Sequence, residues 1–338
     1  MADGSLAFGL VFSGELRFAR TMDFSSLTID IPPASWTGRN DGVEPAHRRW
    51  WQSVATSPEP SLSAALPGPA ALLGFSSDAG VLRNHGRVGA AAGPAAIRSA
   101  LGSLAFHGSR SILDAGDIAV RGDALEEGQA RAGAALTTLL DAGYLTCALG
   151  GGHEIAFASY LGVANTAAVA NGARLGVLNL DAHFDLRDAP APSSGTPFRQ
   201  MAYAEAAAGR ELNYAVVGIS EANNTRALFD TAHELDVKYL LDEDCSAERT
   251  AAFVEAFLAT VDAVYLTIDL DVLPAAVAPG VSAPAAYGVP LPVIVSVCRQ
   301  LVASGKLFHC DVAELNPEFD IDNRTAKVAA RLIDTLLR

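Results

Sequence analysis

Six side chains, delivered in three short clusters that each follow an apolar run, limit what this 338-residue chain can fold into. They are His153, then Asp181, His183 and Asp185 of the run Asp181-Ala-His-Phe-Asp185, then Asp269 and Asp271 of Asp269-Leu-Asp271. Four carboxylates brought together in an interior repel one another and resist desolvation unless cations neutralise them. Two divalent ions would balance four such charges. The chain reads as a binuclear metallohydrolase.

From about residue 70 onward, short β-branched or Leu-rich runs alternate with Ala-rich helical stretches. Strands are expected over 71–75, 111–113, 145–149, 175–180, 215–217, 237–240, 263–268 and 307–310. Helices are expected over 94–104, 124–142, 155–164, 225–235, 247–258, 292–304 and 323–337. Gly93-Pro94 and Asn323 suit helix starts, because proline fits the first turn and asparagine caps it. Uniformly apolar strands are buried on both faces, which favours a parallel sheet between helix layers. A closed barrel shares this alternation, so the pattern alone leaves it open. The expected organisation is one α/β domain over 70–338, preceded by a segment, 1–69, rich in Pro, Gly, Ser and Trp. That segment is expected to pack onto the domain through Trp36, Trp50 and Trp51, with its first 30 residues mobile. Leu66-Pro67-Gly68-Pro69 marks the boundary.

Ligands of open parallel sheets bind beyond the carboxyl ends of the strands. The run 145–149 leads into Gly150-Gly151-Gly152-His153-Glu154, 175–180 into Asp181, and 263–268 into Asp269. All three clusters thus fall on one edge. The glycines let the backbone turn tightly and approach a neighbour. They are not a phosphate loop, since no Gly-Lys-Ser/Thr follows. If 181–185 stays extended, its alternate residues aim at one point. Many oxygen ligands, two imidazoles and no thiolate favour Mn²⁺ over Zn²⁺.

The net charge of −14 argues against nucleic acid, which needs clustered Lys and Arg. No apolar stretch reaches the roughly 18–20 residues of a membrane span, and the first residues lack the basic start of a secretory signal. Cys147, Cys245, Cys298 and Cys310 form no CxxC pair and read as reduced, mostly buried thiols. A cytoplasmic enzyme of small molecules is expected.

The DAHxD and DxD clusters resemble those of the ureohydrolase superfamily, which includes arginase, agmatinase and formimidoylglutamase, over about residues 70–337. The resemblance implies a three-layer α/β/α sandwich with a mostly parallel eight-stranded sheet, two Mn²⁺ per subunit, and a possible homo-oligomer. It implies that His153 and Asp185 hold one metal, that His183 and Asp271 hold the other, and that Asp181 and Asp269 bridge them. Asp311-Val-Ala-Glu314-Leu-Asn316-Pro317 is similar to the family's closing motif, so Glu314 and Asn316 are expected to support the site.

Departures from the pattern narrow the substrate. Arginase-like and agmatinase-like members carry a His-Gly pair shortly after DAHxD, whereas Ser194-Gly195 stands here. A proton shuttle at that place is therefore not expected. Arg83, Arg87, Arg187 and Arg199 sit in or beside the motifs, where a cationic substrate would need carboxylates or amides. Arg187 follows Asp185 by two residues, and an Arg fork there would bind a carboxylate bidentately.

Several segments resemble the formimidoylglutamase branch in particular. They include Asp78-Ala-Gly-Val-Leu-Arg83-Asn84-His-Gly-Arg87, the Gly-Gly-Gly-His153-Glu form of the first cluster, Ser193-Ser194-Gly195-Thr196-Pro197-Phe198, and Trp36-Thr-Gly-Arg39-Asn-Asp41. The implied reaction is hydrolysis of N-formimidoyl-L-glutamate to L-glutamate and formamide, a step of histidine degradation, with a metal-bridging hydroxide as nucleophile. Asp185 would move the proton, and Arg187, Ser194, Arg83 and Arg87 would contact substrate. Asn223 and Thr225 are further candidate contacts. Two other readings stand beside this one: a ureohydrolase of guanidino substrates, agmatinase- or guanidinobutyrase-like, and a non-catalytic metal-binding regulator.

Overall fold

A computed structural model describes residues 27–57 and 68–338. Its centre is a fully parallel sheet built from the apolar runs. The strands are β1 (Val54–Ala55), β2 (Ala70–Ser76), β3 (Ile112–Ala119), β4 (Leu145–Gly150), β5 (Leu175–Leu180), β6 (Asn213–Ile219), β7 (Lys238–Leu241), β8 (Ala263–Asp269) and β9 (Leu307–Ala313). Their spatial order is β1-β3-β2-β4-β9-β8-β5-β6-β7. Helices cover both faces, so the sheet is open and a barrel is excluded. One layer holds α2 (Gly93–Gly102), α8 (Ala247–Thr260), α9 (Leu291–Ser304) and α10 (Arg324–Leu337), which share a core with Leu72, Leu149, Leu178 and Leu266. The other holds α3 (Leu125–Asp141), α4 (Ile155–Ala164), α6 (Pro197–Ala207) and α7 (Arg226–Glu234). Two short helices, α1 (Ala79–Arg83) and α5 (Ala167–Ala170), complete the set among the described residues.

The order of the central strands positions everything that follows. Strands β4, β9, β8 and β5 are neighbours, paired through Cys147↔Cys310, Leu266↔Cys310 and Leu178↔Leu266. All run the same way, so the segments after 150, 313, 269 and 180 emerge side by side on one edge. Gly151 makes the turn after β4 possible: a Cβ there would meet the Ser77 carbonyl oxygen at 2.0 Å.

Eight of the nine strands fall where the apolar runs placed them. The ninth, β1, comes from the N-terminal segment and is too short to leave a periodicity. Strand β3 is longer than expected because Asp114 and Asp117 interrupt its apolar run. Both acids are paired with Arg98 of α2, through Asp114 Oδ1 at 2.9 Å and Asp117 Oδ1 at 2.6 Å. Asn323 does not cap α10 as expected. It takes a left-handed φ of 55°, and the Asp320 carboxylate accepts from the Thr325 and Ala326 amides instead. All four cysteines are free and buried. No helix among the described residues is long and apolar enough to cross a membrane.

The N-terminal segment is tied down at several points. Trp36 Nε1 donates to Asp114 at 2.8 Å, and Trp50, wholly buried, donates to Asp334 at 3.0 Å. Asp30 accepts from the Ala119 amide and pairs with Arg131. Residues 27–30, expected to be mobile, are therefore anchored by Asp30. Positions 1–26 of that expectation lie outside the described residues, as do Leu66 and Pro67 of the expected boundary. Arg98→Met would leave two largely buried carboxylates without their counter-charge. It should destabilise the fold by about 3–5 kcal/mol, read as a lower denaturation midpoint; an unchanged midpoint would show that the cluster carries no such load.

Candidate metal centre

The edge segments meet in a cleft of about 310 Å³. His153 follows β4, Asp181, His183 and Asp185 follow β5, and Asp269 closes β8, with Asp271 in the 3₁₀ turn Leu270–Val272. His153 Nδ1 lies 3.1 Å from Asp181, 2.9 Å from Asp185 and 3.2 Å from Asp269. His183 Nδ1 lies 3.1 Å from Asp271 and 3.5 Å from Asp181. Two groups able to hold a cation result: His153 with Asp181, Asp185 and Asp269, and His183 with Asp181 and Asp271. Asp181 belongs to both, whereas Asp269 groups with the first only.

The segment 181–185 does not stay extended. Asp185 has φ of 48°, a left-handed turn that brings its carboxylate back toward His153. Buried Asn224 secures this turn, accepting from the Phe184 amide and donating to the Ala182 and Ser220 carbonyls.

A second layer of bonds holds His153 and Asp181 in place. His153 Nε2 lies 3.0 Å from Thr267 Oγ1, which donates to Asp311 at 2.6 Å; Tyr265 also donates to Asp311. With its hydroxyl proton committed to Asp311, Thr267 accepts from Nε2–H, which leaves the Nδ1 lone pair for a metal. Asn179 donates to Asp181 at 2.9 Å. Glu314, at φ 68°, accepts from the His153 amide at 2.8 Å. Glu154, beside His153, accepts from Ser77 and the Gly80 amide. Burial, with Glu154 nearby, pushes Glu314 up to about 8.

The donor set fits a pair of divalent cations. Burial alone would lower both imidazoles, but Asp181 and Asp185 beside His153, and Asp271 and Asp181 beside His183, hold them well above the usual range. Burial, reinforced by Asp271 and Asp181, pushes Asp269 well up. In the absence of a cation, protons thus serve as the counter-charge. Oxygen-rich ligation without sulfur suits a hard ion.

The cleft is also lined by Asn84, His85, Arg87, Arg187, Ser194, Asn224 and Ser282. Arg187 is exposed at the mouth, and its guanidinium has no partner among the described residues. Ser194 accepts from Asn84 Nδ2 at 3.2 Å. Arg87 is held by the Val281 and Ser282 carbonyls and lies 4.0 Å over the Phe319 ring. Asn316 donates to the Arg87 and Val88 carbonyls, fixing that loop.

Several residues named near the motifs lie away from the cleft. Arg83 lies outside this lining, because Asp123, Glu126 and the Pro192 carbonyl take up its guanidinium. Arg199, on α6, turns to Tyr203 instead. Asn223 and Thr225 do not line the cleft; Asn224 between them does. Thr267, Asn179 and Asn84 were not singled out in the sequence. The first two lie inside runs read only as strand, and Asn84 carried no charge to draw attention. A larger cleft of about 840 Å³ opens at the opposite edge, near Asn213 and Thr260. It is mainly apolar and holds neither metal-capable group.

A model of the arginase family matches residues 69–338. A formimidoylglutamase of Rhodococcus jostii (strain RHA1) is 57% identical over 310 residues, covering 91% of this chain and 96% of that protein. One from Nocardia farcinica (strain IFM 10152) is 58% identical over 306 residues, 90% and 96% of the two chains. The Trypanosoma cruzi formiminoglutamase solved with Mn²⁺ aligns with a TM-score of 0.72 at 25% identity, covering 82% of this chain and 95% of that one. Bacillus caldovelox arginase, at 24% identity and a TM-score of 0.67 over 80% and 98% of the two chains, shares the fold.

Thr267→Val keeps the shape of β8 but removes the acceptor for His153 Nε2. Metal affinity should fall about 10–100-fold, read by competition with a chelator; unchanged affinity would show that Thr267 does not orient the ring. Because the imidazoles are held protonated when no cation is present, a metal must displace those protons. Affinity should therefore rise with pH across neutrality, with proton release detectable by calorimetry in buffers of different ionisation enthalpy. A pH-independent affinity would contradict that linkage.

Proposed function

The chain belongs to the arginase family, and we propose that it hydrolyses N-formimidoyl-L-glutamate to L-glutamate and formamide using two Mn²⁺ ions. The observation that carries the substrate is the Arg187 guanidinium, which has no partner among the described residues and stands at the mouth of the cleft. A guanidino substrate without a carboxylate, such as agmatine, finds no counter-charge in that guanidinium, whereas a dicarboxylate gains a bidentate partner there. The relatives named above, called formimidoylglutamases, point to the same chemistry.

His153 and Asp185, with Asp269 beside them, would hold one ion and His183 and Asp271 the other, with Asp181 within reach of both. Bound there, the ions supply a water deprotonated near neutral pH and an electrophilic anchor for the amidine. The rest is the work of the chain's own residues. Arg187 and Arg87 receive the substrate carboxylates, and Ser194, oriented by Asn84, offers a hydroxyl to the polar body between them. This clamp fixes the amidine carbon for attack. As water adds to that carbon, Asp185 accepts its proton and passes it to the glutamate nitrogen, which leaves as the C–N bond breaks. Glu314 holds the His153 backbone and Asn316 holds the Arg87 loop, so both act through their neighbours.

We also read 70–338 as a single catalytic unit, braced by the segment that carries Trp36 and Trp50. A second copy in a homo-oligomer and a cytoplasmic setting are part of the same proposal; nucleic acid and membrane are not expected partners.

The test is turnover by the manganese-loaded protein of N-formimidoyl-L-glutamate, agmatine and arginine in parallel. Activity on the first alone is expected; activity on agmatine or arginine, or on none, would overturn the assignment. Asp185→Asn should lower kcat by about 100-fold or more, and near-parental kcat with metal bound would remove Asp185 from proton transfer. Arg187→Ala should raise KM by about tenfold or more with a smaller change in kcat; an unchanged KM would take it out of the clamp.

A further inference from the structure

Two loops carry the substrate contacts of the proposed function, and they come from different parts of the chain. Residues 84–88, after α1, carry Asn84 and Arg87. Residues 187–196, between β5 and α6, carry Arg187 and Ser194. A clamp of two loops works only if their separation is fixed. We propose that Arg83 is the positioning residue that fixes it, acting as a strut outside the cleft; this rests on the reading of the cleft as a dicarboxylate site.

Every N–H of the Arg83 guanidinium is engaged. Nε donates to Asp123 Oδ1 at 2.8 Å, and Nη1 donates to Glu126 Oε1 at 2.9 Å and to the Pro192 carbonyl at 3.0 Å. Nη2 donates to the Asp123 carbonyl at 2.9 Å and to Glu126 Oε2 at 3.2 Å. Asp123 lies just before α3 and Glu126 in its first turn, and Pro192 lies in the second loop. One planar group at the end of α1 thus joins three separate connections. The only other direct hydrogen bond between the two loops, among the described residues, is Asn84 to Ser194 at 3.2 Å.

The first loop is fixed on its far side: the Arg87 amide donates to Ser282 Oγ at 2.8 Å, and Asn316 holds the Arg87 and Val88 carbonyls. Beside these two bonds, the hydrogen bonds of the second loop among the described residues are local: the Arg187 amide to the Gly195 carbonyl, the turn of Ser193 with Thr196, and Thr196 with Gln200 in the first turn of α6. The strut therefore sets where Arg187 stands relative to Arg87. A lysine cannot replace it, because three donors on one point do not span five acceptors. The acidic partners are largely solvated, with side-chain exposures of 86% for Asp123 and 53% for Glu126. Removing Arg83 leaves no buried charge behind, so the fold survives the test.

Arg83→Ala and Arg83→Lys are compared with the parent, each loaded with manganese. Both should keep the parental metal content and kcat within about threefold, and both should raise KM for N-formimidoyl-L-glutamate about tenfold. Amide hydrogen exchange should quicken in 84–89 and 187–196 together. A KM within about twofold of the parent, a kcat that falls as far as kcat/KM, parental KM in Arg83→Lys, or unchanged exchange in 187–196 would overturn the strut. Failure of the parent to turn over N-formimidoyl-L-glutamate would overturn the substrate assignment instead, and the exchange measurement would still decide the strut.

Discussion

Four carboxylates converge at the carboxyl edge of β4, β9, β8 and β5, and the rest of the molecule is arranged around the charge this concentrates. The central strands are apolar on both faces because helices cover them, so the cleft has a dry base. In such a place like charges are barely screened, and a fold that gathers Asp181, Asp185, Asp269 and Asp271 must also supply positive charge. The imidazoles of His153 and His183 do so while they hold protons; a pair of divalent cations does so more completely. The parallel sheet makes the gathering cheap, since every strand end already points to the same edge.

Holding the cluster together requires order beyond the ligands. Thr267, Asp311 and Tyr265 form a chain under His153, Asn179 steadies Asp181, and Glu314 takes the His153 amide. Asp185 and Glu314 both sit at positive φ, a conformation that costs on the order of 1–3 kcal/mol for a residue with a side chain. Such strain persists only where the surroundings over-determine it, and Asn224 and the β4–β9 edge do that here. The substrate loops are secured from outside in the same way, by Asn316 on one side and the Arg83 fork on the other.

The fold was legible because burial on both faces writes itself as apolar runs. Strand β1 and helix α6 escaped notice for opposite reasons: Val54–Ala55 is too short for a pattern, and Pro197–Ala207 begins in a segment read as motif. Strand β3 was cut short because Asp114 and Asp117 look like a loop until Arg98, some 16 residues away from Asp114, is seen to pair with them. The six residues of the centre were visible from their spacing after strands. The substrate contacts were harder. Arg83 and Arg87 lie in one motif, yet Asp123 and Glu126, about 40 residues on, draw Arg83 outward. Asn224 was missed by one position on either side, since a strand-end loop does not announce which side chain turns in. Neighbourhood in the chain identifies candidates; only the long-range partners decide which of them face the cleft.

One shared carboxylate and two imidazoles divide this cluster into two groups able to hold a cation. Crystals of the manganese-loaded protein, with anomalous differences measured at the manganese edge, test it directly. Two peaks per chain are expected, one among His153, Asp181, Asp185 and Asp269 and the other among Asp181, His183 and Asp271, with Asp181 touching both. A single peak, or two that do not share Asp181, would contradict it.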